Sequence, residues 1–154
     1  MMQVSDAAGA KKQLHTLSWG FQQTFKTPVR KLAPFAATIV SAGSLQAAFV
    51  TIEQVVFEPE HLISLLSKYS LSHSFRKGTT VTASGSNEVD QLLRAAFADS
   101  VDFLFVPRPK SFVIYADHDE YATFYANTKS NLNRIVAALS AKSFEQVADY
   151  TRPL

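Results

Sequence analysis

The sequence predicts an α+β fold: a mostly antiparallel sheet, including a three-stranded meander over about residues 101–126, packed by amphipathic helices. Three observations carry this. Residues 101–130 divide into three ten-residue units, VDFLFV-PRPK, SFVIYA-DHDE and YATFYA-NTKS. In each, a β-branched and aromatic run precedes a polar, turn-forming break. Segments around 60–69, 87–97 and 130–141 repeat apolar residues at helical spacing. The 154 residues, 47% apolar and without cysteine, supply one sizeable core with no disulfide.

Taken in order, residues 1–13 lack the apolar stretch of a secretory signal and read as a mobile polar leader before one domain, 14–154. Leu14, Leu17, Phe21 and Phe25 follow helical spacing, and Thr27-Pro28 is a fitting start for a short second helix to Leu32. No charge occurs from Leu32 through Ile52, a length that could span a bilayer. Its Pro, Gly, Ser, Thr and Gln content favours a buried hairpin instead, with strands 37–42 and 45–52 joined by Gly43-Ser44. No membrane span is therefore expected.

Glu58-Pro59-Glu60 opens a helix whose stripe is Leu62, Leu65, Leu66 and Tyr69, with acids near the positive end of the dipole. Residues 71–75 and 79–83 alternate as strands around Arg76-Lys77-Gly78. Val89, Leu92, Leu93, Ala96 and Phe97 mark the next helix. Leu132, Ile135, Val136 and Leu139 mark the last, and 144–150 reads as a final short strand. In the meander, pairing Ala116 with Tyr121 puts Phe112, Ile114, Tyr121 and Tyr125 on one face and Val113, Tyr115 and Phe124 on the other. Both faces are apolar, so helices or a partner must cover each, and a homo-oligomer is one way to do so.

The net charge of +2 is too small to indicate nucleic-acid binding. No cofactor motif is present. The absence of cysteine and of a signal segment fits a cytoplasmic setting. The densest reactive set is the turn Asp117, His118, Asp119 and Glu120. Its carboxylates, with the C-terminal end of the last helix, should raise the pKa of His118 and attract a cation or cationic partner. Lys142 is the nearest compensating charge in sequence. A metal-assisted hydrolase or transferase built on that turn is the alternative reading, and a solvated loop is the ordinary one. At the opposite end of the meander, about 20 Å away at the usual strand rise, Arg108, Lys110 and Lys129 lie beside a helix N-terminus. That arrangement suits an anion or phosphate, unless Thr128 or Ser130 simply caps the helix.

His73, alternating with Leu71 and Phe75, reads as partly buried, and His61 sits in a first helical turn. The small-residue run 78–86 resembles a phosphate cradle but lacks the P-loop core. Trp19 reads as core or interface. Tyr150-Thr151-Arg152 either docks on the body or contacts a partner. Charge separated across a stiff meander, with no recognisable catalytic set, points to a small non-enzymatic binding or regulatory domain, of accessory or immunity type, acting on a protein partner.

Overall fold

The computed structural model describes residues 1–6 and 19–153. It shows the expected α+β architecture: one eight-stranded sheet, antiparallel at every pairing, with four helices packed on one face. The strands are β1 (Gln3–Ser5), β2 (Phe21–Lys26), β3 (Ala47–Gln54), β4 (Thr80–Ser84), β5 (Asp102–Arg108), β6 (Val113–Ala116), β7 (Tyr121–Ala126) and β8 (Gln146–Val147). Their order across the sheet is β1-β4-β3-β5-β6-β7-β2-β8. The helices are α1 (Leu32–Gly43), α2 (Glu60–Lys68), α3 (Ser86–Ala98) and α4 (Lys129–Ala141). Among the described residues, no helix is long and apolar enough to cross a membrane.

The meander is β5-β6-β7, and it occupies the middle of the sheet. Strand alternation sends Phe103, Phe105, Ile114, Ala122 and Phe124 towards the helices, where all five are buried. The opposite face carries Leu104, Val106, Val113 and Tyr125, with Trp19, Phe49 and Tyr115 packed around them. Both faces of the meander are thus covered, as its composition requires.

The pairing register differs from expectation by one residue. Ala116 opposes Ala122, not Tyr121. Tyr121 and Tyr125 consequently leave the helix face and join Tyr115, while Phe124 enters the main core. The turn causes the shift. Glu120 adopts a left-handed conformation, φ 68°, and the Asp117 amide bonds the Tyr121 carbonyl at 3.0 Å, so the loop is longer than a simple strand count assumes.

The segment 37–42 is helical, not a hairpin strand. Phe35, Ile39 and Gly43 are buried four residues apart on one face of α1. Ser44, at φ 50°, is the left-handed C-cap whose amide bonds the carbonyls of the last turn. Gly43 serves close packing: a Cβ there would stand 2.7 Å from Leu45 and 2.9 Å from Phe112. The strand expected at 45–52 is present as β3.

Other differences are local. Phe21–Lys26 is a strand whose Phe25 is fully buried, not the continuation of a helix; Leu14 and Leu17 lie outside the described residues. Pro28 begins a turn closed by the Lys31 amide, and the helix starts only at Leu32. Residues 71–75 are irregular, while β4 pairs with β3 and β1. The final strand contracts to Gln146–Val147. Within the expected leader, Gln3–Ser5 forms β1 against β4 and Met2 is buried; 7–13 lie outside the described residues.

Helices α2, α3 and α4 arise where their apolar stripes predict them. Buried Asp99, just past α3, accepts the His61 and Leu62 amides at 2.9 and 2.7 Å and so caps α2 from a distant segment. An edge-to-face aromatic series, Phe144–Phe35–Phe97–Phe103, with centroids 5.0–5.4 Å apart, ties α1 and α3 to β5. Each such contact contributes about 1 kcal/mol beyond area burial.

Candidate functional site

The turn between β6 and β7 is where the structure gathers the most ionisable groups, although it does not leave them free. Asp117 is buried. Its Oδ1 accepts the Asp119 and Tyr121 amides at 3.0 and 3.1 Å, which shapes the turn. Its Oδ2 accepts Arg152 Nη1 at 2.8 Å and the Tyr150 hydroxyl at 3.1 Å. Both carboxylate oxygens are therefore engaged inside the fold.

Asp102, at the start of β5, is also buried, and it organises His118. Its Oδ1 accepts both the His118 amide and His118 Nδ1, each at 2.8 Å. A carboxylate can only accept, so Nδ1 carries the proton and Nε2 is turned outward, 3.8 Å from Asp119 Oδ1. The Asp102 hydrogen bond raises the His118 pKa above the usual imidazole value, against an opposing effect of burial. The direction matches expectation, but its main cause is Asp102 rather than the neighbouring acids of the turn. Asp119 is largely exposed, and Glu120 is partly so.

Arg152 and Tyr150 complete the cluster. The segment 148–153 docks on the body across the sheet face that carries no helix. Thr24 Oγ1 donates to the Tyr150 carbonyl at 3.2 Å, and Tyr125 donates to the Arg152 carbonyl at 2.6 Å. Gln22 Oε1 accepts the Arg152 amide at 2.8 Å. Tyr150 stacks on Tyr121 with centroids 4.4 Å apart, and the Arg152 guanidinium lies 3.9 Å from the Tyr115 ring centre. Burial pushes up the pKa of Tyr115, Tyr125 and Tyr150, so all three stay protonated at neutral pH.

Among the described residues, no three His, Asp or Glu groups converge as a metal-ligand set. The described histidines are dispersed. His61 pairs with Asp99 and His73 with Asp6, at 2.8 Å each. The small-residue run before α3 is also engaged, because Glu88 Oε1 accepts the Ser84 amide at 3.0 Å at that helix start.

At the opposite end, Arg108, Lys110 and Lys129 are all exposed. Thr128 Oγ1 accepts the Asn131 amide at 3.1 Å, so the first turn of α4 has its own cap. No hydrogen bond or ion pair among the described residues joins the three cations into one site.

Sequence reasoning located the acidic turn but missed Asp102 and left Arg152 undecided. Asp102 was discoverable: it precedes Phe103, which pairs with Ala116, so antiparallel geometry sets it beside the turn. Arg152 reaches Asp117 by a path that no local pattern records.

The chain matches no family model, no curated protein and no solved structure.

Proposed function

We propose that the protein is a non-enzymatic binding domain that acts through contacts with a protein partner. The observation that carries this reading is the exposure of three apolar side chains along the short stretch where β3 passes into α2. Val56 is 41% exposed, Phe57 59% and Ile63 40%. Val56 and Phe57 lie in the loop before α2, and Ile63 is one turn into the helix. Single exposed apolar residues are ordinary. Three at one loop–helix junction, with Glu53, Glu58 and Glu60 close in sequence, have the make-up of a small interface with an apolar centre and a charged rim. The complementary surface is an apolar pocket edged by basic groups.

The acidic turn adds to this as a rim. Asp119 is exposed and Glu120 half-buried, whereas Asp117 and Asp102 hold the turn and His118 in place. A metal-assisted reaction at this turn would draw on carboxylate oxygens already committed to Arg152, Tyr150 and backbone amides.

Affinity capture with the wild-type chain and with a Phe57→Ser/Ile63→Ser variant tests the reading. A protein retained by the wild type and lost with the variant, at unchanged melting temperature, supports it. An identical capture profile defeats it. Sedimentation of both chains shows whether the lost partner is a second copy. Asp119→Asn with Glu120→Gln tests the turn without disturbing Asp117.

A further inference from the structure

A second surface has no role in that reading. Between the segment 26–31, which leads from β2 into α1, and the segment 142–145, which follows α4, lies an open cleft of about 380 Å³. Four cationic residues line it: Lys26, Arg30, Lys31 and Lys142. Glu120 and Glu145 line it as well, leaving a net charge of +2. None of the four cations forms an ion pair among the described residues. Such a convergence of like charges is unfavourable in an empty cleft and is relieved by an anion.

A further feature points the same way. Lys31 is the N-cap of α1, and neither a side-chain cap nor an acidic residue occupies that helix's first turn. The positive end of the α1 dipole therefore abuts the cleft. The end of α4 brings the opposite partial charge through Lys142, whose ammonium offsets it. Thr27, 4% exposed, forms part of the cleft wall, but its unpartnered hydroxyl oxygen is closed off from solvent and so from a ligand in the cleft. Pro28, Val29 and Phe144 give the cleft an apolar side.

We propose that this cleft binds a small organic phosphate, a monoester whose dianionic phosphoryl group sits among Lys26, Arg30, Lys31 and Lys142 while its organic part lies against Val29 and Phe144. A dianion matches the net charge of the lining. Arg and Lys donors suit phosphoryl oxygens, and the apolar wall distinguishes an ester from free phosphate. The site lies away from Arg108, Lys110 and Lys129, whose adjoining helix start is already capped.

The test uses the full chain labelled with nitrogen-15, titrated separately with phenyl phosphate and with inorganic phosphate. Saturable amide shifts confined to 26–31, 120 and 142–145 are expected, with phenyl phosphate the tighter of the two. Arg30→Gln with Lys31→Gln should weaken binding about a hundredfold, the loss of two charge-assisted contacts. Lys110→Gln with Lys129→Gln should leave it unchanged. No saturable shift in these segments would overturn the proposal. So would equal binding by the Arg30/Lys31 variant, or affinity that follows Lys110 and Lys129. Should the Arg30/Lys31 variant unfold, Lys142→Gln repeats the test from the other wall.

Discussion

Arg152 and Asp117 are joined at 2.8 Å, from Nη1 to Oδ2, across 35 residues of sequence. The carboxylate is 6% exposed and the guanidinium 28%. Asp117 also shapes the β6–β7 turn, so this pair links the turn to segment 148–153. The sheet face opposite the helices is thereby held by a charge pair, a tyrosine stack and main-chain bonds instead of a helix.

Removing one partner strands the other. Arg152→Ala should destabilise the chain by about 2–3 kcal/mol, less than a fully buried pair because the guanidinium is partly exposed. Arg152→Ala and Asp117→Asn, made singly and together, should show a coupling of about 1–2 kcal/mol in denaturant unfolding. Additive effects would mean that the two side chains do not stabilise each other.

Tyr125 offers a milder perturbation of the same segment. Its hydroxyl donates to the Arg152 carbonyl at 2.6 Å, and Tyr125→Phe removes only that donor, at a cost of about 1 kcal/mol. Hydrogen exchange should accelerate over 148–152 while the meander core keeps its protection. Uniform acceleration throughout the chain would show that the segment does not open separately.

His118 gives a pH dependence of known sign. Its folded pKa is raised by the Asp102 hydrogen bond, so the charged form is favoured in the native state. The associated stability is complete below the unfolded value, about 6.5, and is lost as pH rises through the folded value. The stability difference between wild type and His118→Gln should therefore shrink as pH rises above about 6.5. An imidazole midpoint at or below that of the free side chain, read from the His118 Cε1–H signal, would contradict the assignment.

Gly43→Ala sets two effects against each other. Alanine favours a helix interior by up to about 1 kcal/mol. The new methyl would press on Leu45 and Phe112, both buried, and overpacking of this kind costs about 1–3 kcal/mol. A net loss of about 1 kcal/mol, seen as a lower melting temperature, is expected. Equal or greater stability would show that the two side chains yield readily.

The elements most legible in the sequence are those whose periodicity and punctuation agree. The meander and helices α2, α3 and α4 have both: apolar repeats at one clear period, and Pro, Gly, Asp or Asn at the breaks. Residues 32–43 gave mixed signals. Thr38, Ile39 and Val40 are β-branched, and Gly43-Ser44 has hairpin composition, yet the four-residue spacing of Phe35, Ile39 and Gly43 prevails through burial against α3 and α4. In β2, Phe21, Gln23 and Phe25 share one strand face, a period-two signal overlaid in the sequence by the helix-like spacing of Leu14, Leu17 and Phe21. The acidic turn was visible because its residues are contiguous. Asp102, Arg152 and the cleft at Lys26 and Lys142 are assembled from distant segments, so only the strand order brings them into view.

The strand order also bears on how molecules of this chain meet one another. Among the described residues the sheet ends in its two shortest strands, β1 with three residues and β8 with two. Each of these edge strands is therefore a short template for another strand, although β8 covers only Thr24 and Phe25 of β2. Strand addition is disfavoured for self-association and for recruiting a peptide alike. Side chains are then the favoured means of lasting contact at the described edges.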